Sequence, residues 1–360
     1  MPEIYYVHPG LATMSFSKIS KAHIHELRGK VKIQEMEEKA LDNLQWLDKR
    51  NILLHPILYT TIGDKPELFQ IKQKRLYRLL SVKRVLGGFE TADSDRMSEV
   101  AIDTINKLDV VFLPSRFAVD TFRKSGAKVP LELLSHGLSA VMLTTSKEIT
   151  SPQIKNLLNL KVANNATFCL YFCQHSDYRK GADIVFEAFR ILHSMFKDLY
   201  LVKKGQANDQ YIAKLRTLRT IEIPAWFSEE ELRQLYDICD MLIVPSRGGG
   251  FELNALEGIA RGLPTIVPDA GCFRDYIHHC VPLPIVRRPR VFPDHTIHVG
   301  KGWEISSDDL ARTIASVKTY PDKFKAKAEA AGTKVRDTYS WNVIGQKLYE
   351  LLRTYGFCEC

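Results

Sequence analysis

Two carboxylates behind a run of three glycines are the residues of this sequence best suited to do chemistry. They lie in Val244-Pro-Ser-Arg-Gly-Gly-Gly-Phe-Glu-Leu-Asn-Ala-Leu-Glu-Gly-Ile-Ala-Arg-Gly-Leu-Pro264. Pro245 and Ser246 end a strand, Gly248 to Gly250 let the backbone come close to a ligand, and Glu252 to Arg261 form a helix stopped by Gly262 and Pro264. A helix N-terminus behind glycines is an anion site, because its free amides and positive dipole end suit a phosphate or a polar sugar. Carboxylates sit badly beside phosphate, so Glu252 and Glu257 are assigned to accepting hydrogen bonds from sugar hydroxyls. At 100° per residue the two lie about 140° apart around the helix and would touch different parts of a long ligand. A glycine-rich turn with no ligand is the plain structural alternative.

The elements that must position this site come next. Asp109-Val-Val-Phe-Leu-Pro-Ser-Arg116 and Asp240-Met-Leu-Ile-Val-Pro-Ser-Arg247 share one plan: Asp, four apolar residues, Pro-Ser-Arg. Both read as buried parallel strands ending at a loop, which fits two similarly built halves with a site in the cleft between them. Further strands are expected at residues 4–7, 82–87, 131–134, 167–172, 199–203 and 265–267, and helices at 181–196, 228–239 and 308–319. Strand and helix in alternation give an α/β class of two doubly wound, Rossmann-like domains. Residues 144–165, rich in Ser, Thr, Asn and Lys, read as the interdomain linker plus a short helix. The expected domains are residues 1–150 and 151–335, followed by a C-terminal segment, 336–360.

Composition narrows the class. A chain of 360 residues, 45% of them hydrophobic, is long and apolar enough for two cores. Seven cysteines without metal-like spacing fit reduced thiols, with Cys358 and Cys360 the candidates for reactivity. With no signal-like core after Met-Pro-Glu-Ile-Tyr-Tyr-Val and no apolar run of membrane-spanning length, the expectation is a cytoplasmic protein, peripheral to a membrane at most. A net charge of +8 favours an anionic partner, whether nucleic acid, acidic membrane or phosphorylated ligand. The densest basic segment, Lys72-Gln-Lys-Arg-Leu-Tyr-Arg-Leu-Leu-Ser-Val-Lys-Arg84, reads as an amphipathic helix with a solvated face or a membrane-docking one.

On these residues the sequence resembles the retaining GT-B glycosyltransferases, in particular glycosyltransferase family four, over roughly residues 82–350. That family has a strand ending Pro-Ser, then Glu-Gly-Phe-Gly-Leu leading into a helix with a second Glu eight residues after the first. Here Pro245-Ser246, Gly250-Phe251, Leu253 and Glu257 match. The resemblance assigns Glu257 to the ribose hydroxyls of a nucleotide-diphosphate sugar, and the backbone from Gly250 to Leu253 to the diphosphate and sugar. The family's first Glu is Gly249 here, while Glu252 replaces a usual glycine. Either Glu252 substitutes spatially, or donor turnover is altered or lost.

Tyr178-Arg-Lys-Gly-Ala-Asp183 is similar to the family's Lys-Gly helix start, which gives Lys180 the donor diphosphate, a role that suits a mobile point charge. The family's partner Arg is Gln174 here, with His175 and Arg179 as substitutes. Phe227 and its neighbours match a segment lying against the base. Residues 88–96, 114–117 and 135–138 resemble acceptor-side signatures, where Glu90 has a cleft-facing or a capping role. Residues 339–349 match a final helix that crosses back to the first domain. The implied reaction moves a sugar to a hydroxyl acceptor on a glycan, lipid or protein, with retention, no metal and no further cofactor. Catalysis falls to Glu252, Glu90 and Lys180.

Rival readings lack parts. Asp93-Ser-Asp95 has metal-binding spacing but suits capping of a helix start. Neither a Gly-Lys-Ser/Thr phosphate loop nor a Gly-x-Gly-x-x-Gly turn is present, which weakens ATPase and dehydrogenase readings. His23, His25, His278 and His279 read as surface histidines rather than zinc ligands. A nucleic-acid partner is set aside because the basic residues are dispersed and lack a stacking pattern. A sugar-nucleotide or glycan binding protein that lost turnover is the alternative from another class, motivated by Gly249 and Gln174.

Overall fold

The computed structural model describes residues 4–10, 15–43, 48–174, 176–206 and 210–358. In the first half β1 (Ile4–His8), β2 (Ile33–Glu37), β3 (Arg50–Leu54), β4 (Lys83–Phe89), β5 (Val110–Leu113) and β6 (Leu131–Leu133) form a parallel sheet in the order β2-β1-β3-β4-β5-β6. In the second half β7 (Thr167–Phe172), β8 (Leu199–Lys204), β9 (Thr220–Ile223), β10 (Met241–Ile243), β11 (Thr265–Pro268) and β12 (Val281–Leu283) pair in parallel, in the order β12-β11-β10-β7-β8-β9. The second order is that of dinucleotide-binding domains, and the first extends the flavodoxin-like one. Each order reverses once, between β1 and β3 and between β7 and β10, and at such a point the loops diverge and leave a crevice.

The repeated Asp has the same structural task in both halves. Asp109 Oδ2 accepts from the Leu86 amide at 2.7 Å and Asp240 Oδ2 from the Phe168 amide at 2.7 Å, so each carboxylate holds an amide of the neighbouring strand. Each also holds a lysine, Lys83 at 2.8 Å and Lys161 at 2.7 Å. The apolar residues between are buried on both faces, as parallel strands covered by helices require.

The chain passes between domains earlier than residue 150. The Ala140–Leu143 helix already packs on the second domain's helices Glu229–Ile238 and Leu253–Ala260. Residues 144–151 are then fastened to that domain. Arg233 donates to the carbonyls of Ser146 (2.9 Å) and Glu148 (2.6 Å), Arg261 to Ser146 (2.8 Å), and Gln234 Oε1 accepts from the Thr150 and Ser151 amides, each at 2.9 Å. The outgoing crossing at Leu138 pairs with the returning one, Leu138 N–H donating to Tyr339 O at 2.6 Å. The helix Trp341–Thr354 then buries Ile344, Leu348 and Leu352 against Ile24 and Leu27 of the first domain.

Three expectations change. His23 is 1% exposed rather than at the surface: Tyr6 Oη lies 2.8 Å from its Nδ1, and burial pulls its pKa down to about 3. The basic segment forms the helix Phe69–Val82, but two of its cations point inward, Arg75 gripping Asp42 through Nε (2.7 Å) and Nη2 (2.8 Å) and Lys72 donating to Tyr59 O at 2.6 Å. The described cysteines, Cys358 included, are buried thiols, and Cys360 lies outside the described residues. Among the described residues no helix is long and apolar enough to cross a membrane.

Candidate active site

The loop after β10 is built as its glycines imply, and it is buried throughout residues 244–252. Gly250 is obligatory for packing, since a Cβ there would lie 1.3 Å from Thr91 Oγ1 of the first domain. Its carbonyl accepts from Ser115 Oγ at 2.8 Å across the cleft. Phe251 turns its ring into the core beside Tyr276, whose hydroxyl donates to the Phe251 carbonyl at 2.6 Å. The loop therefore offers backbone rather than side chains to the cleft.

Glu252 is not on the helix, which corrects the helical-wheel placement. It is the residue before Leu253–Ala260 and adopts a left-handed conformation with φ of 56°, unusual for a residue with a Cβ. The turn folds its side chain back over Gly249. A Cβ at position 249 would lie 2.4 Å from Glu252 Oε1, so the carboxylate fills the space that a side chain at 249 would enter. There it grips Lys180, with Nζ 2.7 Å from Oε1 and 2.8 Å from Oε2. The pair is secluded, the side chains being 17% and 3% exposed for Lys180 and Glu252.

Arg179 sits beside this pair. It donates to Gly248 O at 3.0 Å, and its Nη1 is 3.7 Å from Asp93 Oδ2. Burial works to raise the pKa of Asp93, but the charges of Arg179, His298 and Lys180 outweigh it and hold the carboxyl below its usual range. Arg247 anchors the loop from behind through two 2.7 Å bonds to Asp183 and one of 2.6 Å to Glu304. Gln174 Oε1 accepts from the Gln206 amide at 3.1 Å and ties together the loops after β7 and β8. His175 lies outside the described residues.

Glu257 points elsewhere, toward a pocket of about 460 Å³ between the domains. Leu253 and Glu229 line it from the second domain, Lys18, His25 and Trp341 from the facing side. Tyr236 Oη donates to Glu257 Oε2 at 2.8 Å, and Lys18 Nζ is 3.9 Å from Oε1. Burial raises the pKa of Glu257 against the opposing pull of Lys18 and Tyr236. Phe227 is half-buried, with the Lys204 ammonium 4.8 Å from its ring centroid.

Glu90 closes the first-domain side and takes the capping role. Its Oε2 accepts from the Leu58 amide at 2.6 Å and Oε1 from the Thr91 amide at 2.9 Å. Burial pushes its pKa up to about 7, although both amides work to lower it. Asp95 binds a strap from the second domain: it accepts from Arg288 Nη2 at 2.7 Å and from the Lys301 amide at 2.6 Å. Ser98 N–H and Ile297 O continue the seam at 2.9 Å. Among the described residues no group of three His, Cys, Asp or Glu is placed to hold a metal.

The structure thus brings together Lys180, Arg179, Glu252 and Gly249–Phe251, and places Glu257 and Leu253 on an adjoining pocket. Lys18, Glu229 and Tyr236 were not legible as site residues. Lys18 is some 240 positions from Glu257 along the chain, and no spacing rule links them.

Two sheets of these orders meeting at their switch points, with a glycine loop, a lysine and a carboxylate-bearing helix in the cleft, define a GT-B architecture. Residues 160–283 match the model of the family described as glycosyl transferases group 1. The chain is 28% identical over 366 residues to uncharacterized protein 356 of Sulfolobus islandicus rod-shaped virus 1, covering 98% of this chain and 99% of that one. It is 26% identical over 277 residues to putative glycosyltransferase 45 of Sulfolobus islandicus filamentous virus, covering 73% of each. Among solved structures, Anabaena HepE in complex with UDP and glucose superposes with a TM-score of 0.71 at 14% identity, covering 98% of this chain and all of that one. Sucrose-phosphate synthase from Thermosynechococcus elongatus superposes at 0.61 and 16%, covering 79% and 71%. The chain has the GT-B fold, and over residues 160–283 it resembles the glycosyl transferases group 1.

Proposed function

We propose that this protein transfers a sugar from a nucleotide-diphosphate donor to a hydroxyl acceptor, with retention at the anomeric carbon and without a metal. The observation that carries the reading is the position of Glu252, folded over Gly249 and paired with Lys180 at the carboxyl end of β10. A carboxylate there accepts hydrogen bonds from the transferred sugar, and Lys180 with the helix amides stabilises charge on the departing diphosphate. Glu257 accepts from the ribose hydroxyls in the adjoining pocket, and the acceptor hydroxyl approaches from the Glu90 side. The UDP and glucose bound by HepE agree with this ligand class. The exposed strip Ile71, Lys74 and Tyr77 is the surface assigned to peripheral membrane contact.

A second reading rests on the same pair. Because Glu252 neutralises Lys180, a donor phosphate must compete for that lysine, as in a binding protein that has lost turnover. The test is a thermal-shift screen of UDP-, GDP- and ADP-sugars combined with donor hydrolysis in excess EDTA. Stabilisation with turnover is the expected result. Stabilisation without turnover supports the binding protein, activity restored only by added magnesium or manganese overturns metal independence, and the absence of any shift overturns the donor assignment.

A further inference from the structure

Charge in the closed cleft is unevenly distributed. A nucleoside diphosphate brings at least two negative charges, yet both cations of the second domain beside the glycine loop are engaged. Lys180 is held by Glu252 at 2.7 Å, and Arg179 is turned to Gly248 O with Asp93 3.7 Å away. The adjoining pocket carries charges of both signs, Lys18 and Lys21 lining it together with Glu26, Glu229 and Glu257. Glu257 is buried there, and Glu229 stands at its rim.

One ammonium group from the first domain serves both carboxylates. Lys18, on the helix Ser15–Leu27 that follows β1, lies 2.9 Å from Glu229 Oε1 and 3.9 Å from Glu257 Oε1. Burial opposes its charge, but the two carboxylates outweigh burial and raise its pKa. Its side chain remains 42% exposed, so the ammonium keeps room to turn on its flexible stem.

We propose that Lys18 is a donor-binding residue supplied across the cleft, which exchanges Glu257 for the phosphate of the incoming nucleotide. This rests on the reading of Glu257 as the ribose ligand. When ribose hydroxyls donate to Glu257, the carboxylate no longer needs the ammonium at 3.9 Å. Lys18 then gains more from a phosphate oxygen than from a carboxylate already satisfied, and it adds positive charge to that of Lys180, which the pairing with Glu252 partly offsets. Lys18 keeps Glu229 at 2.9 Å as its nearer partner, so the exchange leaves neither Lys18 nor Glu257 unmatched.

The test compares a nucleoside diphosphate with the nucleoside alone on wild type, Lys18→Gln, Lys18→Arg and Glu257→Gln, by calorimetry. UDP, GDP and ADP are the probes, and the one bound most tightly by wild type is paired with its nucleoside. Lys18→Gln is expected to weaken the diphosphate about five- to tenfold while leaving the nucleoside within about twofold, with a shallower salt dependence, and Lys18→Arg to restore most of the loss. Equal weakening of both probes would assign Lys18 a purely structural part and overturn the inference. Unchanged diphosphate binding in Lys18→Gln would overturn it as well. If wild type binds none of the three, or Glu257→Gln binds like wild type, the donor reading itself fails and the inference falls with it.

Discussion

Replacing Glu252 with Gln separates a catalytic carboxylate from a structural one. The change removes the charge and one of two acceptors, breaking a bidentate pair with Lys180 at 2.7 and 2.8 Å. Deleting one partner of a fully buried ion pair costs about 3–5 kcal/mol. Here Lys180 is 17% exposed and the amide retains one oxygen, so the expected cost is lower, about 1–2 kcal/mol. For domains of this size that lowers the melting temperature by roughly 3–6 °C. The left-handed backbone at position 252 is equally unfavourable for either residue and cancels. If the carboxylate touches the transferred sugar, loss of an interaction stronger in the transition state lowers kcat by about 100-fold, or some 2.7 kcal/mol, with nucleotide affinity within about twofold. The assay is donor turnover, melting temperature and nucleotide dissociation constant measured on one preparation. A kcat within about threefold of wild type, together with the lowered melting point, would refute the catalytic assignment and leave Glu252 as a latch on Lys180. A companion variant follows from the geometry. Gly249→Glu alone collides with Glu252, whereas Gly249→Glu with Glu252→Gly empties the space first and should recover turnover relative to Glu252→Gln.

Two other substitutions have defined outcomes. Glu257→Gln should weaken nucleotide binding about tenfold to a hundredfold, with the fold intact by circular dichroism, since hydrogen bonds to a charged acceptor contribute about 1.5–3 kcal/mol each; an unchanged dissociation constant would exclude the ribose contact. Glu90 holds its proton more tightly in the folded chain, at about 7 against an ordinary 4.5, so the folded state binds more protons between those values and this group's contribution to stability falls as pH rises through that window. The loss is on the order of 3 kcal/mol. Glu90→Gln should flatten the corresponding part of a melting-temperature profile, and an unchanged slope from pH 4.5 to 7 would show that Glu90 titrates normally.

The legibility of the fold followed burial. Strands β5, β7, β10 and β11 are apolar runs closed by turn residues, and their sequences declare them. β2 and β9 are edge strands with polar faces, Ile33-Gln-Glu-Met-Glu37 and Thr220-Ile-Glu-Ile223, and β12 carries Pro282, so none shows the pattern of a buried strand. The site divides in the same way. Gly250, Leu253, Glu257 and Lys180 stand next to local signals, a glycine run or a helix start. Lys18, Glu229 and the strap residues reach the cleft only through packing of one domain on the other, which no local spacing encodes. Glu252 falls on a helical wheel when read from sequence, because a left-handed turn in a residue other than glycine is not visible in composition. The histidine at position 23 failed for the opposite reason, its polar neighbours Lys21 and His25 masking the inward face of an amphipathic helix.

The fastening of residues 144–151 to the second domain has a mechanical meaning. A tether that long, left loose, would let the two domains separate and reorient in any direction. With Arg233, Arg261 and Gln234 gluing it down, the free lengths shrink to two short crossings, one at Leu138 and one at Tyr339 to Trp341, hydrogen-bonded side by side. Two adjacent pivots leave one soft direction, a rotation about the line they share. The two halves are thereby hung like a door on fixed pins rather than left as a drifting pair. The seam contacts, Thr91 against Gly250 and Asp95 on the Lys301 amide, are thereby held in one register.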